Sequence, residues 1–251
     1  PVLDVASIFT KMDGDSVGSR QFADRGGSDG VGFPASPSLA KSCNMIDVDV
    51  EARHSKGILL SMLRITAGEH RGRKLRVARG TPTRPMVERA REGVMNHLAM
   101  EIPGALVWDI YAGSGILGFE CMSRGAKRLV SVDKNAKAAE AIRASAEVLG
   151  WADCVQVLQM DAHRIPSLEP HLPAPDLVFF DPPYSDFENE SPVRSKVWEL
   201  FISLARLMNP GGCAIVHTPG PTLKEAEAEV LPGLECREYG SSALWWWHKK
   251  P

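Results

Sequence analysis

The sequence predicts a doubly wound α/β fold: an open, mostly parallel sheet with helices on its faces, preceded by a basic β-hairpin extension. Three observations carry this. Short apolar strand patterns alternate with helical patterns from residue 105 to residue 218, as in successive βα units. Four successive strand patterns end in an acid, at Asp109, Asp133, Asp161 and Asp181. Glycines at 113, 115 and 118 stand between the first of those strands and the helix that follows. In open α/β sheets, ligands bind outside the carboxyl ends of the strands. Four acids at that edge, with glycines after the first, mark a site.

Composition sets the bounds. The chain has 251 residues, enough for one large or two modest domains, and its 44% hydrophobic fraction suits a full-sized core. The net charge of -2 says little about partners by itself. Five cysteines, at 43, 121, 154, 213 and 236, are scattered and form no C-x-x-C pair. That argues against a disulfide framework or a zinc site and suits a reducing, cytoplasmic compartment. No run of 18 apolar residues exists, so no membrane span is expected. The start shows no basic region followed by an apolar one, as a secretory signal would.

Residues 1 to about 57 are punctuated by Gly, Ser, Asp and Pro and hold no helical or strand period. Such a segment cannot bury enough apolar surface to offset its ordering entropy, so residues 1–61 are expected to be a disordered leader. Eight acids against six Lys or Arg fit poorly with a transit peptide. The alternative is a natural start at Met45 or Met62.

Residues 62–80 read as a hairpin, within an N-terminal unit of 62–83. Leu63, Ile65 and Ala67 alternate with polar residues, Gly68 to Gly72 offer a turn, and Leu75 and Val77 resume the alternation. Nine Lys or Arg lie between Arg64 and Arg91. A solvated surface is charged too, but Arg massed around a turn suits phosphate contacts better. The candidate RNA-contacting residues are Arg64, Arg71, Arg73, Lys74, Arg84 and Arg91. Such contacts supply affinity and salt dependence but no sequence information. Residues 84–98 read as a helix with Pro85 near its start and one apolar face of Val87, Ala90, Val94, Met95 and Leu98.

From residue 84 to the end the pattern is that of one catalytic domain. Ala105 to Trp108 is a short strand running into Asp109-Ile110-Tyr111-Ala112-Gly113-Ser114-Gly115 and a helix from Ile116 to Ser123. Glycines there let a ligand approach the backbone at a helix N-terminus. Ala112, Gly113, Ser114 and Gly115 are therefore candidate cofactor contacts. Asp109, just before the loop, is placed to receive an ammonium group. The strand Arg128 to Val132 ends in Asp133, about 20 residues past the glycines, where an acid pairs with ribose hydroxyls. A helix over 134–149 is closed by Gly150. The strand Val155 to Met160 ends in Asp161, a candidate acceptor for an adenine amino group. A helix follows at 193–208, a turn at Asn209-Pro210-Gly211-Gly212 and a strand at Cys213 to Thr218. Residues 222–230 read as helical, and 234–239 with 243–248 as a final antiparallel pair. Alternation places Trp245 and Trp247 on one face of the last strand and Trp246 on the other.

The apolar strand Leu177-Val178-Phe179-Phe180 stops at Asp181-Pro182-Pro183-Tyr184. Neither proline donates to a ladder, so an acid, a stiff turn and an aromatic are held at the strand's carboxyl end. Two cofactors fit a Gly-rich turn plus a ribose-binding acid: a dinucleotide, or S-adenosylmethionine. The tetrapeptide separates them. Hydride transfer has no use for a rigid acceptor pair beside an aromatic, whereas methylation of an amino group does. The lone pair of a base's exocyclic nitrogen is delocalised into the ring. If Asp181 and the carbonyl of Pro182 accept its two N–H bonds, the nitrogen is drawn towards a tetrahedral form. Its lone pair then faces the methyl sulfonium. That is positioning plus electrostatics, and it needs no metal. Asp181 thus belongs to both the catalytic and the cofactor-binding set, with Pro182 and Tyr184 as its catalytic partners. Tyr184 is expected to stack on the base, which must leave its helix or loop.

Residues 62–250 resemble the bacterial 16S rRNA (guanine(966)-N(2))-methyltransferase family along essentially their whole length. The likeness rests on Arg64-Ile65, Gly68, Arg71-Gly72-Arg73, Arg84-Pro85, Arg89 and Arg91-Glu92, with Asn96 and Leu98. It continues through Asp109, Ala112 to Gly115, Gly118, Ser123-Arg124-Gly125-Ala126, Asp133, Phe180 to Tyr184 and Tyr239-Gly240. The resemblance implies a seven-stranded, Rossmann-like methyltransferase fold, with S-adenosylmethionine as donor. It also implies one guanine of 16S rRNA as substrate, presented on a 30S subunit or assembly intermediate. The chain departs from the pattern after Arg84-Pro85: Met86, Val87 and Glu88 stand where small hydroxyl residues and Asp are usual. A monomer is expected, since no spare amphipathic surface stands out. Two other readings share the tetrapeptide or the fold. One is adenine-N6 methylation of DNA or RNA; the other is an inactive methyltransferase-fold assembly factor.

Overall fold

A computed structural model of the chain describes residues 63–75, 77, 86, 88–168, 171–187 and 191–251. The expected leader, Met62, Arg84, Pro85 and Val87 lie outside the described residues.

Seven strands form one sheet. In chain order they are β1 (Leu106–Ile110), β2 (Arg128–Asp133), β3 (Val155–Gln159), β4 (Leu177–Phe180), β5 (Cys213–Thr218), β6 (Glu235–Tyr239) and β7 (Ser242–His248). Their spatial order is β3-β2-β1-β4-β5-β7-β6. The first five are parallel, and β7 runs antiparallel between β5 and β6. The strand order reverses between β1 and β4, and such a reversal opens a crevice at the strands' carboxyl ends. The doubly wound sheet expected from the sequence is what the chain forms.

The helices are α1 (Glu88–His97), α2 (Ile116–Ser123), α3 (Ala136–Val148), α4 (Arg194–Leu207) and the short α5 (Glu225–Ala228). Two 3-10 turns, Ala162–Leu168 and Tyr184–Phe187, follow β3 and precede α4. The central strands are buried on both faces, with Ile110, Leu129, Val178 and Phe179 all at 1% exposure or less. That explains their continuous apolar runs. In β7, Trp246 packs edge-on against His97 on one face while the Trp245 indole donates to Thr218 on the other. The alternation among the three tryptophans holds, although both faces are covered. No helix among the described residues is long and apolar enough to cross a membrane.

The hairpin is short. Arg64 and Lys74 form an antiparallel bridge, and the Ile65 and Leu75 N–H groups donate to the carbonyls of Arg73 and Leu63. Its turn docks on the end of α2. The Glu69 N–H donates to the Ser123 carbonyl at 2.8 Å, and the Ser123 hydroxyl donates to the Ala67 carbonyl at 2.7 Å. Gly68 makes this approach possible. Its φ is +85°, and a Cβ there would stand 1.8 Å from the Ser123 carbonyl oxygen. We expect Gly68→Ala to destabilise the hairpin, with about 1–3 kcal/mol from the backbone conformation alone. Denaturant unfolding and faster proteolysis around residues 67–72 would register it. Unchanged cleavage would contradict the docking.

Candidate active site

The glycine loop starts where β1 ends. Asp109 is not ahead of the loop, as the sequence reading placed it; it is the fourth residue of β1 and only 1% exposed. Its Oδ2 accepts the Gly118 N–H at 3.1 Å, so it ties the strand to the first turn of α2. Burial pushes its carboxyl up to about 8, and the charges of Asp181 and Asp133 add to this while the Gly118 bond opposes it. The folded protein therefore holds a proton there that the unfolded chain, with its ordinary carboxyl, releases near pH 4. The stability that proton carries is complete below pH 4 and is lost progressively as the pH rises towards 8. We expect Asp109→Asn to flatten the stability–pH curve across that window while keeping an acceptor for Gly118. Urea unfolding of both proteins from pH 4 to 9 gives the difference; parallel curves would refute the assignment.

Past β1 the chain turns sharply. Tyr111 has φ 62°, the one positive value among described non-glycine residues. Such a conformation costs about 1–3 kcal/mol and is kept where the surroundings enforce it. Here the Tyr111 ring packs edge-on against Phe180, the last residue of β4. Gly115 caps α2 with φ 73°. The Gly113 N–H donates to Asp133 Oδ2 at 2.7 Å, and Asp133 Oδ1 accepts the Asn135 N–H at 2.8 Å. Asn135 in turn caps α3. The ribose-binding candidate is thus fixed by the loop on one side and by a helix start on the other. Ala112 is held by its N–H to the Val132 carbonyl, and Ser114 is buried.

Between these elements lies a cavity of about 240 Å³. Tyr111, Asp133, Lys134, Met160, Asp161 and Ala162 line it, with Val197 of α4 on the far wall. It falls short of the roughly 300–1,000 Å³ of a pocket for a whole drug-sized molecule, so it suits part of a larger ligand. Asp161 is exposed at its rim. Its carboxylate accepts both the backbone N–H and the ring of His163, at 3.0 Å each, which lowers its pKa. Asp133 and Asp161 therefore meet at one cavity, as the sequence spacing suggested.

Asp181 follows β4 directly, and its N–H donates to the Ile110 carbonyl at 3.2 Å. The carboxylate is half-buried. Its Oδ1 lies 2.8 Å from Nδ1 of His217, a 4%-exposed residue of β5. His217 Nε2 lies 3.0 Å from the Tyr184 hydroxyl. The reading from sequence assigned Tyr184 a stacking role and did not single out His217. The available signal was a histidine following four apolar residues in the strand beside β4.

Among the basic candidates, Arg64, Arg71, Arg73 and Lys74 are exposed on the hairpin. Arg84 lies outside the described residues. Arg91 departs from the expectation: it is 1% exposed and cannot meet RNA. Its Nε donates to Glu120 Oε1 at 3.0 Å, and the rest of the guanidinium donates to the carbonyls of Met86 and Arg64. A buried carboxylate on α2, nearly thirty residues further on, draws it inwards.

The family model described as Conserved hypothetical protein 95 matches residues 63–248. The chain belongs to this family. YlbH of Bacillus subtilis (strain 168) is 31% identical over 125 residues, 49% of this chain and 68% of that protein. The Ribosomal RNA small subunit methyltransferase D of Haemophilus influenzae (strain ATCC 51907 / DSM 11121 / KW20 / Rd) is 34% identical over 126 residues. The protein of that name from Escherichia coli (strain K12) is 33% identical over 124. Those two matches span 64% and 60% of the relatives' length, and each covers 49% of this chain. The family kinship expected from residues 62–250 is shown. Among solved structures, a hypothetical protein of Thermus thermophilus superposes with a TM-score of 0.61 at 24% identity, over 76% of this chain and all of that one. SMU.776, a structure complexed with SAH, gives 0.51 at 16% identity, over 63% of this chain and 49% of that one. Both are likenesses of fold.

Proposed function

We propose that the protein transfers a methyl group from S-adenosylmethionine to the exocyclic N2 of a guanine in small-subunit rRNA. In its finer form the target is guanine 966 of 16S rRNA on a 30S subunit or assembly intermediate, and the enzyme acts as a cytoplasmic monomer. The observation that carries the chemistry is the placement of Asp181-Pro182 at the end of β4. A half-buried carboxylate and a proline carbonyl stand at the sheet edge that also holds the ribose-type acid and the glycine loop. The two relatives named as rRNA methyltransferases support the RNA substrate.

S-adenosylmethionine brings an electrophilic methyl on a sulfonium. The residues of the chain supply binding and orientation. Asp133 accepts ribose hydroxyls, Asp161 accepts the adenine amino group, and the loop from Ala112 to Gly115 admits the remainder against its backbone. Asp109 keeps that loop in place from below. Asp181 and the Pro182 carbonyl accept the two N–H bonds of the target amino group. With the cofactor bound, its sulfonium would supply the methyl and leave as the thioether, and Asp181 would take the surplus N–H proton of the methylated amino group and pass it to water. Arg64, Arg71, Arg73 and Lys74 hold phosphates beside the site.

Labelled S-adenosylmethionine, small subunits from cells lacking the gene, and nucleoside analysis of the product test this. N2-methylguanosine is the expected product. N6-methyladenosine would replace guanine by adenine, and no transfer with intact cofactor binding would leave an inactive assembly factor. The hairpin makes its own prediction. Replacing Arg71 and Arg73 by Ala lowers the slope of log affinity against log salt by roughly 0.7–0.9 per lost phosphate contact, with cofactor affinity unchanged. An unaltered slope would remove the hairpin from the RNA interface.

A further inference from the structure

We infer that His217 is a positioning residue that locks the methyl-accepting site by bridging its acid to its aromatic. This rests on the methyl transfer proposed above and adds a residue to it.

Every residue of β5 is buried, so an imidazole in that strand must find partners for both nitrogens. It finds them in the two side chains of the acceptor turn, with Asp181 Oδ1 at 2.8 Å and the Tyr184 hydroxyl at 3.0 Å. The chemistry of the partners orders the protons. An ionised carboxylate only accepts, so Nδ1 donates to Asp181. In the neutral ring Nε2 then accepts, and the Tyr184 hydroxyl donates to it. Asp181 is left with Oδ2 for the target amino group. Its rotation about the last side-chain bond is fixed by the histidine. Tyr184 is held edge-on to the same ring, with centroids 5.4 Å apart at 74°, so the aromatic cannot swing independently of the acid. Prolines 182 and 183 stiffen the backbone between them. A three-residue bridge of this kind sets the acceptor geometry before the base arrives. Misplacement of the reacting nitrogen by about 1 Å costs on the order of 10²-fold in rate.

The two nitrogens can be separated by substitution. The amide nitrogen of Asn overlies Nδ1, and the amide end of Gln reaches the place of Nε2, where its oxygen accepts the Tyr184 hydroxyl. His217→Asn keeps the bond to Asp181 and removes the one to Tyr184; His217→Gln does the reverse. The full chain is assayed with labelled S-adenosylmethionine and small subunits from cells lacking the gene. Thermal unfolding and cofactor affinity are measured alongside. His217→Gln lowers kcat by on the order of 10²-fold with a small change in KM for the subunit. His217→Asn raises that KM by about tenfold with the smaller loss of kcat, because base stacking on the aromatic is weakened. Adding His217→Asn to Tyr184→Phe brings no loss beyond that of Tyr184→Phe alone. Asn and Gln profiles that match each other, or that match the wild type, overturn the bridge. Wild-type protein that transfers no methyl to guanine removes the proposed function and the bridge with it. Wild-type transfer with indistinguishable variants removes the bridge alone.

Discussion

Asp181→Ala keeps S-adenosylmethionine bound and lowers methyl transfer by about 10²–10³-fold, the loss typical of removing one preorganised group from a reacting centre. Cofactor binding survives because the other residues proposed to hold the donor stand on other strands and are untouched. Asp133 closes β2, Asp161 follows β3, and the glycine loop joins β1 to α2. Transfer fails for two reasons. The amino nitrogen loses the acceptor that draws its lone pair out of conjugation, and the surplus proton loses its nearest base. A third effect is local: the 4%-exposed His217 loses its partner at Nδ1, which costs about 1–3 kcal/mol of stability. Asp181→Asn separates these contributions. An amide oxygen still accepts one N–H, so the Asn protein should fall between wild type and Ala in single-turnover rate. Calorimetry with the cofactor checks the first half of the prediction and single-turnover transfer the second. Wild-type rates from the Ala protein would dismiss Asp181 from the chemistry.

Much of this site could be read from the sequence because it is built on period and punctuation. Strands buried on both faces show as apolar runs, and Asp133 and Asp181 fall where those runs stop. Positions fixed by distant partners could not be read. Asp109 looked like the residue ahead of a loop, because a carboxylate inside a buried strand contradicts its polarity; the Gly118 N–H makes it tolerable there. Arg91 looked like a phosphate contact for the same reason. His217 was not singled out at all, since its partners are 36 and 33 positions away. The helix expected over 222–230 shrank to Glu225–Ala228. Glu and Ala have good helix propensity, but the segment buries no residue, and a short helix without an apolar face gains too little from packing. The same logic in reverse placed α4 within one residue of its expected ends, because Val197, Leu200, Phe201 and Leu204 form a buried face.

Glu120→Ala should be the most damaging substitution away from the turn at Asp181 to Tyr184, at about 3–5 kcal/mol. Glu120 is fully buried in α2. Its Oε1 accepts the Arg91 guanidinium at 3.0 Å and the Thr66 N–H at 2.9 Å. Its Oε2 accepts the Thr66 hydroxyl at 2.9 Å and the Arg124 guanidinium. One carboxylate therefore joins the hairpin, α1 and α2. Removing it leaves Arg91, at 1% exposure, as a buried cation facing two carbonyls, with the half-exposed Glu88 carboxylate at 4.0 Å as its remaining counter-charge. Arg91→Ala should cost less, since Glu120 retains Arg124 at its side. The pair also separates a stability effect from a charge effect. Glu120→Leu combined with Arg91→Met fills the same volume without charge, and buried pairs replaced in this way are often neutral or gain stability. Such a double variant would still lose the Thr66 contacts. Its hairpin should loosen although the domain stays folded, and binding to small subunits should weaken while cofactor affinity holds. Urea unfolding gives the first comparison and limited proteolysis between residues 64 and 75 the second. A Glu120→Ala protein within about 1 kcal/mol of wild type would mean that water reaches the Arg91 guanidinium, and that the Ser123 contacts and the Arg91–Arg64 bond suffice to hold the hairpin.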